Sequence, residues 1–188
     1  MVDPLRGLLA ELVTVTLASL RNSPTLSDSA DLIDCFFAML GQILKKQSGL
    51  FICPNLDATL LLQVTVAILM MMMMISVMLQ AAISCLTMPE QHPVKSAASF
   101  LGHLITVSRE VEPLAPLVNS HGEQLFLQVI RCVGGEASRS YIDYFTDILL
   151  ALNKKYFDNL CRYMNTMVAM DGFPTELCTR EQKEHFAR

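Results

Sequence analysis

Apolar residues recur along most of the chain at spacings of three and four, which is the period of an amphipathic α-helix. This pattern predicts seven helices and a short eighth. We place them at about 3–21, 27–46, 55–88, 93–109, 120–133, 138–156, 157–170 and from 179 onward. No segment alternates apolar and polar residues over the length of a strand, so strands are not expected. The predicted fold class is all-α.

Capping and breaking residues mark the helix ends. Ser120 with Glu123, and Thr179 with Gln182, have the spacing of capping boxes. Pro89 ends the third helix, since proline disfavours helical backbone at the residue before it. Short polar turns join the helices into hairpins of about 45 residues, a period typical of HEAT and armadillo repeats. The pattern therefore favours an α-solenoid of about three to four hairpins, with a globular helical bundle as the alternative.

The stretch from Ala58 to Met88 departs from this amphipathic pattern. Its 31 residues carry no charge, and five methionines, Met70 to Met74, stand in a row. Because about 20 apolar residues cross a bilayer, a single-pass membrane protein with a span near residues 60–86 is an alternative interpretation. The other helices are amphipathic, and no excess of positive charge flanks one side of the stretch. A helix of a repeat protein is therefore favoured over a membrane span.

Composition and charge exclude several classes of protein. The 188 residues are 52% apolar and 17% charged, which excludes a disordered chain. The net charge is −4 and the basic residues are scattered, so a nucleic-acid partner is not expected. The basic pairs Lys45-Lys46 and Lys154-Lys155 lie at predicted helix ends, where cations complement the helix dipole.

The six cysteines lie far apart in the sequence, and no close pair suggests a metal site or a disulfide. The first residues lack the continuous apolar region of a signal peptide. These two observations predict reduced, mostly core-facing thiols in a cytosolic or nuclear protein.

No combination of residues indicates catalysis. The four histidines (His92, His103, His121 and His185) are isolated and have no metal-ligand spacing. Asp143 and Asp147 are four residues apart on the sixth helix, but a solvated helix face explains them better than a pair of catalytic acids. Gly134-Gly135 lacks the lysine of a phosphate-binding loop. We therefore expect no enzyme, no cofactor and no metal, and we assign no catalytic residue.

Four stretches resemble the carboxy-terminal part of the importin-β (karyopherin-β) family. They occur in the family's order and are IDCFFAMLGQILKKQSGLF (33–51), KSAASF (95–100), GGEASRSYIDYFTDILLALNKKYF (134–157) and FPTELCTREQKEHF (173–186). The resemblance covers nearly the whole chain, so residues 1–188 are interpreted as a carboxy-terminal HEAT-repeat segment. The chain is expected to be truncated at both ends.

The resemblance implies a superhelix of HEAT repeats that carries protein cargo through nuclear pores. Members of the family bind the GTP-bound form of the Ran GTPase, mainly through amino-terminal repeats that this chain would lack. They also contact the Phe-Gly repeats of nucleoporins. No individual contact residue for cargo or Ran follows from the resemblance.

The same comparison indicates an insertion within the third helix. Leu62-Gln63 would continue naturally into Ala81, and a second Leu-Gln pair occurs at Leu79-Gln80. The surplus is residues 64–80, or 17 residues, which adds roughly 25 Å of helix and rotates the downstream face by about 100°. We interpret residues 64–80 as an insertion without a function of its own.

Overall fold

A computed structural model describes residues 7–8, 11–13, 15–16, 18–19, 29–46, 58–111 and 114–187 of the chain. Helices α1 to α7 span Ala30–Lys46, Ala58–Cys85, Gln91–Val107, Ala115–Arg131, Ile142–Lys155, Phe157–Ala169 and Arg180–Phe186. The described residues between 7 and 19 are also helical. No strand occurs in any of these ranges, which confirms the all-α prediction. The predicted starts of the first, second and third helices, at residues 3, 27 and 55, lie outside the described residues.

The predicted start of the fifth helix at Ser120 is wrong. The helix, α4, begins five residues earlier at Ala115, with Leu114 at the cap position and Pro116 in the first turn. Proline is tolerated there because the first-turn N–H groups have no partner within the helix. The Ser120 hydroxyl does not cap the helix but donates to the Leu117 carbonyl at 2.9 Å. Pro116, expected in a loop, thus initiates the helix.

The helices form two layers. Helices α1, α3 and α5 lie side by side in one layer, and α2, α4 and α6 lie side by side in the other. Consecutive helices pack against each other across the layers, α2 with α3, α4 with α5 and α5 with α6, and the apolar core lies between the layers. This stacking of hairpins confirms the predicted α-solenoid, because a bundle would not place equivalent helices in two successive rows.

Specific contacts join the helices of the first layer. The Phe37 and Phe100 rings pack 5.2 Å apart between α1 and α3. At the far ends of α3 and α5, the buried Ser108 hydroxyl lies 2.7 Å from the Tyr156 hydroxyl. The Arg109 guanidinium lies 4.3 Å above the Tyr156 ring. Buried polar groups that satisfy each other fix one lateral register, since any slip would leave them without partners.

The second layer has a closer packing point. Gly122 of α4 faces Tyr163 of α6, and a β-carbon at Gly122 would lie 2.6 Å from the Tyr163 hydroxyl. Tyr163 is only 1% exposed and also packs against the Phe126 ring at 6.1 Å. Only glycine allows this distance between the two helices.

The chain after α6 folds back onto the end of α4. At the kink that follows α4, Gly134 packs directly against the Pro174 ring, and Gly135 adopts a φ of 123°. The predicted capping box of the last helix is confirmed, with the Thr179 hydroxyl accepting from the Gln182 N–H at 3.3 Å. The buried Lys183 ammonium donates to the Met170 carbonyl at the end of α6. The last helix thereby closes the end of the second layer.

The described side chains of α2, which begin at Met72, form a one-sided core stripe. Ile75, Met78, Leu79, Ala82 and Ile83 are all 3% exposed or less and recur at helical spacing. They pack against α3 and α4, as core positions of a repeat helix do. Among residues described with their side chains, no helix combines the length and the apolar character of a membrane span.

This stripe includes the last part of the proposed insertion. If residues 64–80 were removed, Leu62 would take the place of Leu79 and Leu61 that of Met78. Thr59 would take the place of Ser76, whose hydroxyl lies 2.8 Å from the His121 Nε2. Without residues 64–80, residues 58–63 would therefore supply most of the core pattern that residues 75–80 supply in the full chain.

We predict that the chain lacking residues 64–80 folds, is more soluble and unfolds at a higher temperature than the full chain. The helix would lose its long uncharged surplus while leucines still fill two core positions. Ala58 would replace Ile75 only partly, so adding Ala58→Ile to the deleted chain should stabilise it by about 1–3 kcal/mol. Circular dichroism and thermal unfolding measure these effects.

A deletion that is shorter by one residue provides the matched control. Removing residues 64–79 places Gln63 in the buried position of Leu79, which should cost about 2–4 kcal/mol. Equal stability of the two deleted chains, or loss of folding in the chain lacking 64–80, would contradict the insertion hypothesis.

Two glycines within helices should respond oppositely to alanine. Gly122→Ala should destabilise the chain by about 1–2 kcal/mol, because the new methyl group overlaps Tyr163. Gly102→Ala in α3 should stabilise it by up to about 1 kcal/mol, because its β-carbon meets nothing within 4 Å. Urea unfolding measures both. Tyr163→Phe should relieve part of the Gly122→Ala loss, whereas strictly additive effects would contradict the proposed overlap.

Candidate interaction surface

A groove of about 410 Å³ runs between the neighbouring helices α3 and α5. At the N-terminal ends of the two helices, Gln91 donates to the Tyr144 hydroxyl at 3.1 Å. At their C-terminal ends, Arg109 donates to the Lys155 carbonyl at 2.8 Å. The two helices are therefore parallel. We call this feature the α3/α5 groove, and its lining is Lys95, Ala98, Ser99, Gly102, His103, Thr106, Tyr144, Asp147, Leu150, Ala151 and Lys154.

Small residues on α3 keep the groove open. Ala98 and Gly102 face α5 one helical turn apart. A β-carbon placed at Gly102 would meet no atom of a neighbouring residue within 4 Å. On the opposite wall, formed by α5, Ala151 is also small, and the side chain of its neighbour Leu150 is 45% exposed. The floor is therefore apolar and accessible.

The rim of the groove carries charge. Lys95 lies near the start of α3 and Lys154 near the end of α5, so the two ammonium groups stand at opposite ends. Asp147 lies on the α5 wall at about the level of Lys95, because Tyr144, one turn before it, is level with Gln91. All three side chains are exposed, and none forms an ion pair with a residue that the structure describes. The groove thus carries a lysine and an aspartate near one end and a lysine at the other.

The histidines and acids considered for chemistry do not converge. His103 lines the groove with its Nδ1 2.6 Å from the Ser99 carbonyl, while His121 lies between α2 and α4. His92 and His185 are exposed elsewhere. Asp143 and Asp147 are exposed, as the solvated helix face predicted. In the described ranges no three His, Cys, Asp or Glu side chains are grouped to hold a metal ion.

The prediction that most thiols face the core is wrong for the described cysteines. Cys85 and Cys132 are buried, whereas Cys35 and Cys161 are exposed and Cys178 is half-buried; Cys53 lies outside the described residues. The sequence alone did not show which face of each helix is covered. Cys35 and Cys161 lie next to the buried stripes of α1 and α6 but on the exposed side. Burial raises the pKa of the Cys85 thiol to about 12 and that of Cys132 to about 11.

Known proteins match both the sequence and the fold. The family pattern described as "Importin 13 repeat" matches residues 86–160. Importin-13 of Gallus gallus and of Homo sapiens are each 32% identical to the chain over 185 residues, covering 98% of this chain. A solved structure titled "Importin13 cytosolic state" superposes with a TM-score of 0.82 over 98% of the chain, at 26% identity. The resemblance to the importin-β family is confirmed. The chain is importin-13-like.

The match covers only part of each relative. This importin-13-like chain spans 17% of the length of the curated relatives from chicken and human, and 20% of the solved chain. "Importin-13 homolog A" of Dictyostelium discoideum is 30% identical over 102 residues, which is 49% of this chain.

The sequence did not reveal the α3/α5 groove of the importin-13-like chain. Its walls come from two helices with 34 residues between them, residues 108–141. The sequence of each wall alone has the pattern of an ordinary exposed helix face. The only signal was the run of small residues at Ala98, Ser99 and Gly102, which by itself indicates close helix packing equally well. The groove emerges only from the parallel stacking of α3 and α5.

The two buried thiols should be protected from modification. At pH 8 the Cys85 and Cys132 thiols are almost wholly protonated, and only the thiolate reacts. We expect Cys35 and Cys161 to react rapidly with an aromatic disulfide reagent, and Cys85 and Cys132 only after unfolding in guanidinium. Mass spectrometry of the labelled peptides assigns the sites. Labelling of Cys132 in the folded chain as fast as Cys161 would contradict the described core.

Proposed function

We propose that this chain is a segment of a nuclear transport receptor and acts by binding proteins. The observation that carries the proposal is the agreement of sequence and fold with importin-13 over 98% of the chain. A two-layer stack of helices supports this role, since each layer presents a continuous outer surface to partners.

Binding rather than catalysis is proposed for these surfaces. The charged residues of the α3/α5 groove are divided between its two ends instead of converging on one reacting atom. The groove is open along its length, so it suits an extended surface of another protein better than a small substrate that must be enclosed.

The proposed partners follow from the transport role. They are protein cargo, the Ran GTPase and the Phe-Gly repeats of nucleoporins, and the proposed location is the cytoplasm and the nucleus. The main Ran contact is proposed to lie in repeats other than those of this chain. No nucleic acid or membrane partner is proposed, because basic residues are scattered and the core stripe of α2 packs against protein.

Within this role, residues 1–188 are proposed to form a carboxy-terminal HEAT-repeat segment with residues 64–80 as an insertion in α2. The described part of α2 supports this, because its core stripe continues without a break from Ile75 to Cys85. The repeat would therefore keep its contacts with α3 and α4 on either side of the junction.

Labelling of nuclear pores tests the transport role. A fluorescently tagged chain added to permeabilised cells should accumulate at the nuclear rim, because a receptor segment that contacts Phe-Gly repeats is retained at pores. A soluble Phe-Gly-repeat fragment should compete, and the same fragment with serine in place of phenylalanine should not. Confocal microscopy of the rim-to-cytoplasm ratio measures the effect.

The chain lacking residues 64–79, with its displaced core residue, serves as a folding control that should label the rim less strongly. Uniform fluorescence without rim enrichment for the folded chain would contradict the proposal. So would retention of the untagged chain in a carbonate-extracted membrane pellet, since a receptor segment has no reason to remain with lipid.

A further inference from the structure

The three helices of the first layer follow one another in the same direction. Ser96 near the start of α3 donates to Asp34 near the start of α1. Gln91 at the start of α3 donates to the Tyr144 hydroxyl near the start of α5. Helices α1, α3 and α5 are therefore parallel, and each is set beside the previous one by a similar step. One more step beyond α5 would place a fourth parallel helix against its other side.

The side of α5 that faces away from α3 is uncharged. Tyr144 and Ala151 face α3, and the residues half a turn around the helix face the other way. We call them the α5 stripe, and they are Ile142, Thr146, Leu149 and Asn153. Ile142 is 41% exposed and Leu149 is half-buried. A helix placed beside α5 would therefore cover apolar side chains without burying a charge.

Helix α1 has a matching stripe at the other end of the layer. Asp34 and Phe37 face α3. Half a turn around the helix lies the α1 stripe, which consists of Leu32, Met39 and Ile43. Leu32 is 39% exposed, and the other two are half-buried. Leu32 and Met39 have the same seven-residue spacing as Ile142 and Leu149, so both pairs can meet at one setting of the two helices.

The exposed area of the chain is large enough for such a contact. The chain exposes 11023 Å², whereas a compact monomer of its mass, 20.9 kDa, exposes about 9000 Å². The surplus of about 2000 Å² is similar to the roughly 1200–2000 Å² that a stable protein–protein interface buries. Neighbouring parts of the chain also carry uncovered apolar residues: Leu8, Leu12 and Val15 precede α1, and Phe157 follows α5.

We propose that the chain associates head to tail with a second copy of itself, so that the α1 stripe of one copy packs on the α5 stripe of the other. The position beside α5 requires a parallel helix whose own free side is apolar, and among the described helices of the first layer α1 has such a side. A head-to-tail contact leaves one stripe free at each end, so further copies can add. The proposal rests on the two stripes and goes beyond the transport role.

Sedimentation equilibrium of the unaltered chain tests the association. Between about 1 and 300 µM, the mean mass should rise from one chain past that of two, with a dissociation constant on the order of 10–100 µM. Because the stripes are uncharged, added salt should not weaken the association. A mass of one chain at every concentration would overturn the proposal, and so would a plateau at two chains, which indicates a closed symmetric dimer.

Two matched variants each block one end. Leu32→Glu and Ile142→Glu place a carboxylate within the α1 stripe and the α5 stripe, respectively. Both positions lie in the first turn of a helix and are about 40% exposed, and a negative charge there is compatible with folding. Each variant alone should associate at least about tenfold more weakly than the unaltered chain. Circular dichroism checks that both fold.

Mixing the two variants provides the decisive measurement. Leu32→Glu keeps an intact α5 stripe and Ile142→Glu keeps an intact α1 stripe, so the mixture should form a complex of one copy of each and grow no further. If two folded variants do not pair when mixed, the stripes do not meet head to tail. If one variant alone still forms dimers as the unaltered chain does, the contact joins two equivalent ends and the proposal is wrong.

Met73→Glu is the control for association through the uncharged stretch of α2. Met73 is 64% exposed and lies outside both stripes, so this variant should associate within about twofold of the unaltered chain. Loss of association in Met73→Glu but not in the two end variants would assign the contact to α2 and overturn the proposal. Labelling of the nuclear rim by the end variants tests the transport role separately, since neither outcome there changes the mass measurements.

Discussion

Each helical hairpin of this chain can bury its apolar face only against the next hairpin. A single helix pair leaves one side of its core stripe in water. Stacking buries that surface, which stabilises the fold by about 25 cal/mol per Å² of apolar area. The core is accordingly continuous, from Phe37 on α1 through Phe100 on α3 to Phe145 on α5. Lateral packing therefore determines the register of the helices, the groove between α3 and α5, and the parts of the surface left for partners.

Apolar packing alone would allow neighbouring helices to slide, and the polar and close contacts prevent it. The Ser108–Tyr156 hydrogen bond joins α3 to α5, and the Gly122–Tyr163 contact joins α4 to α6. If the helices shift, the Ser108 and Tyr156 hydroxyls lose their buried hydrogen-bond partners, and Tyr163 overlaps with residues beside Gly122. The α3/α5 groove keeps its shape because contacts of this kind hold both of its walls.

The parts of the fold that depend on local pattern could be predicted from the sequence. Helical periodicity and the Thr179 cap are properties of a few neighbouring residues, and the resemblance to a known family supplied the stacking order. The start of α4 was misplaced because Pro116 is compatible with both a loop and a first helical turn. The exposed Cys35 and the α3/α5 groove were missed because both depend on which face of a helix its neighbours cover.

The uncharged stretch in α2 shows why packing information is needed to distinguish a membrane span from a helix buried in protein. Hydropathy is the same whether an apolar residue meets lipid or protein, so Ala58 to Met88 alone supports either environment. For the described part of the helix, the buried stripe indicates a protein environment. Ile75, Met78 and Leu79 face α3 and α4 on one side, while Met73 is 64% exposed on the other. A helix surrounded by lipid has no reason to divide its apolar residues in this way. If residues 64–80 are an insertion, as proposed, the recurrence of the Leu-Gln pair 17 residues apart accounts for the length of the stretch without a membrane.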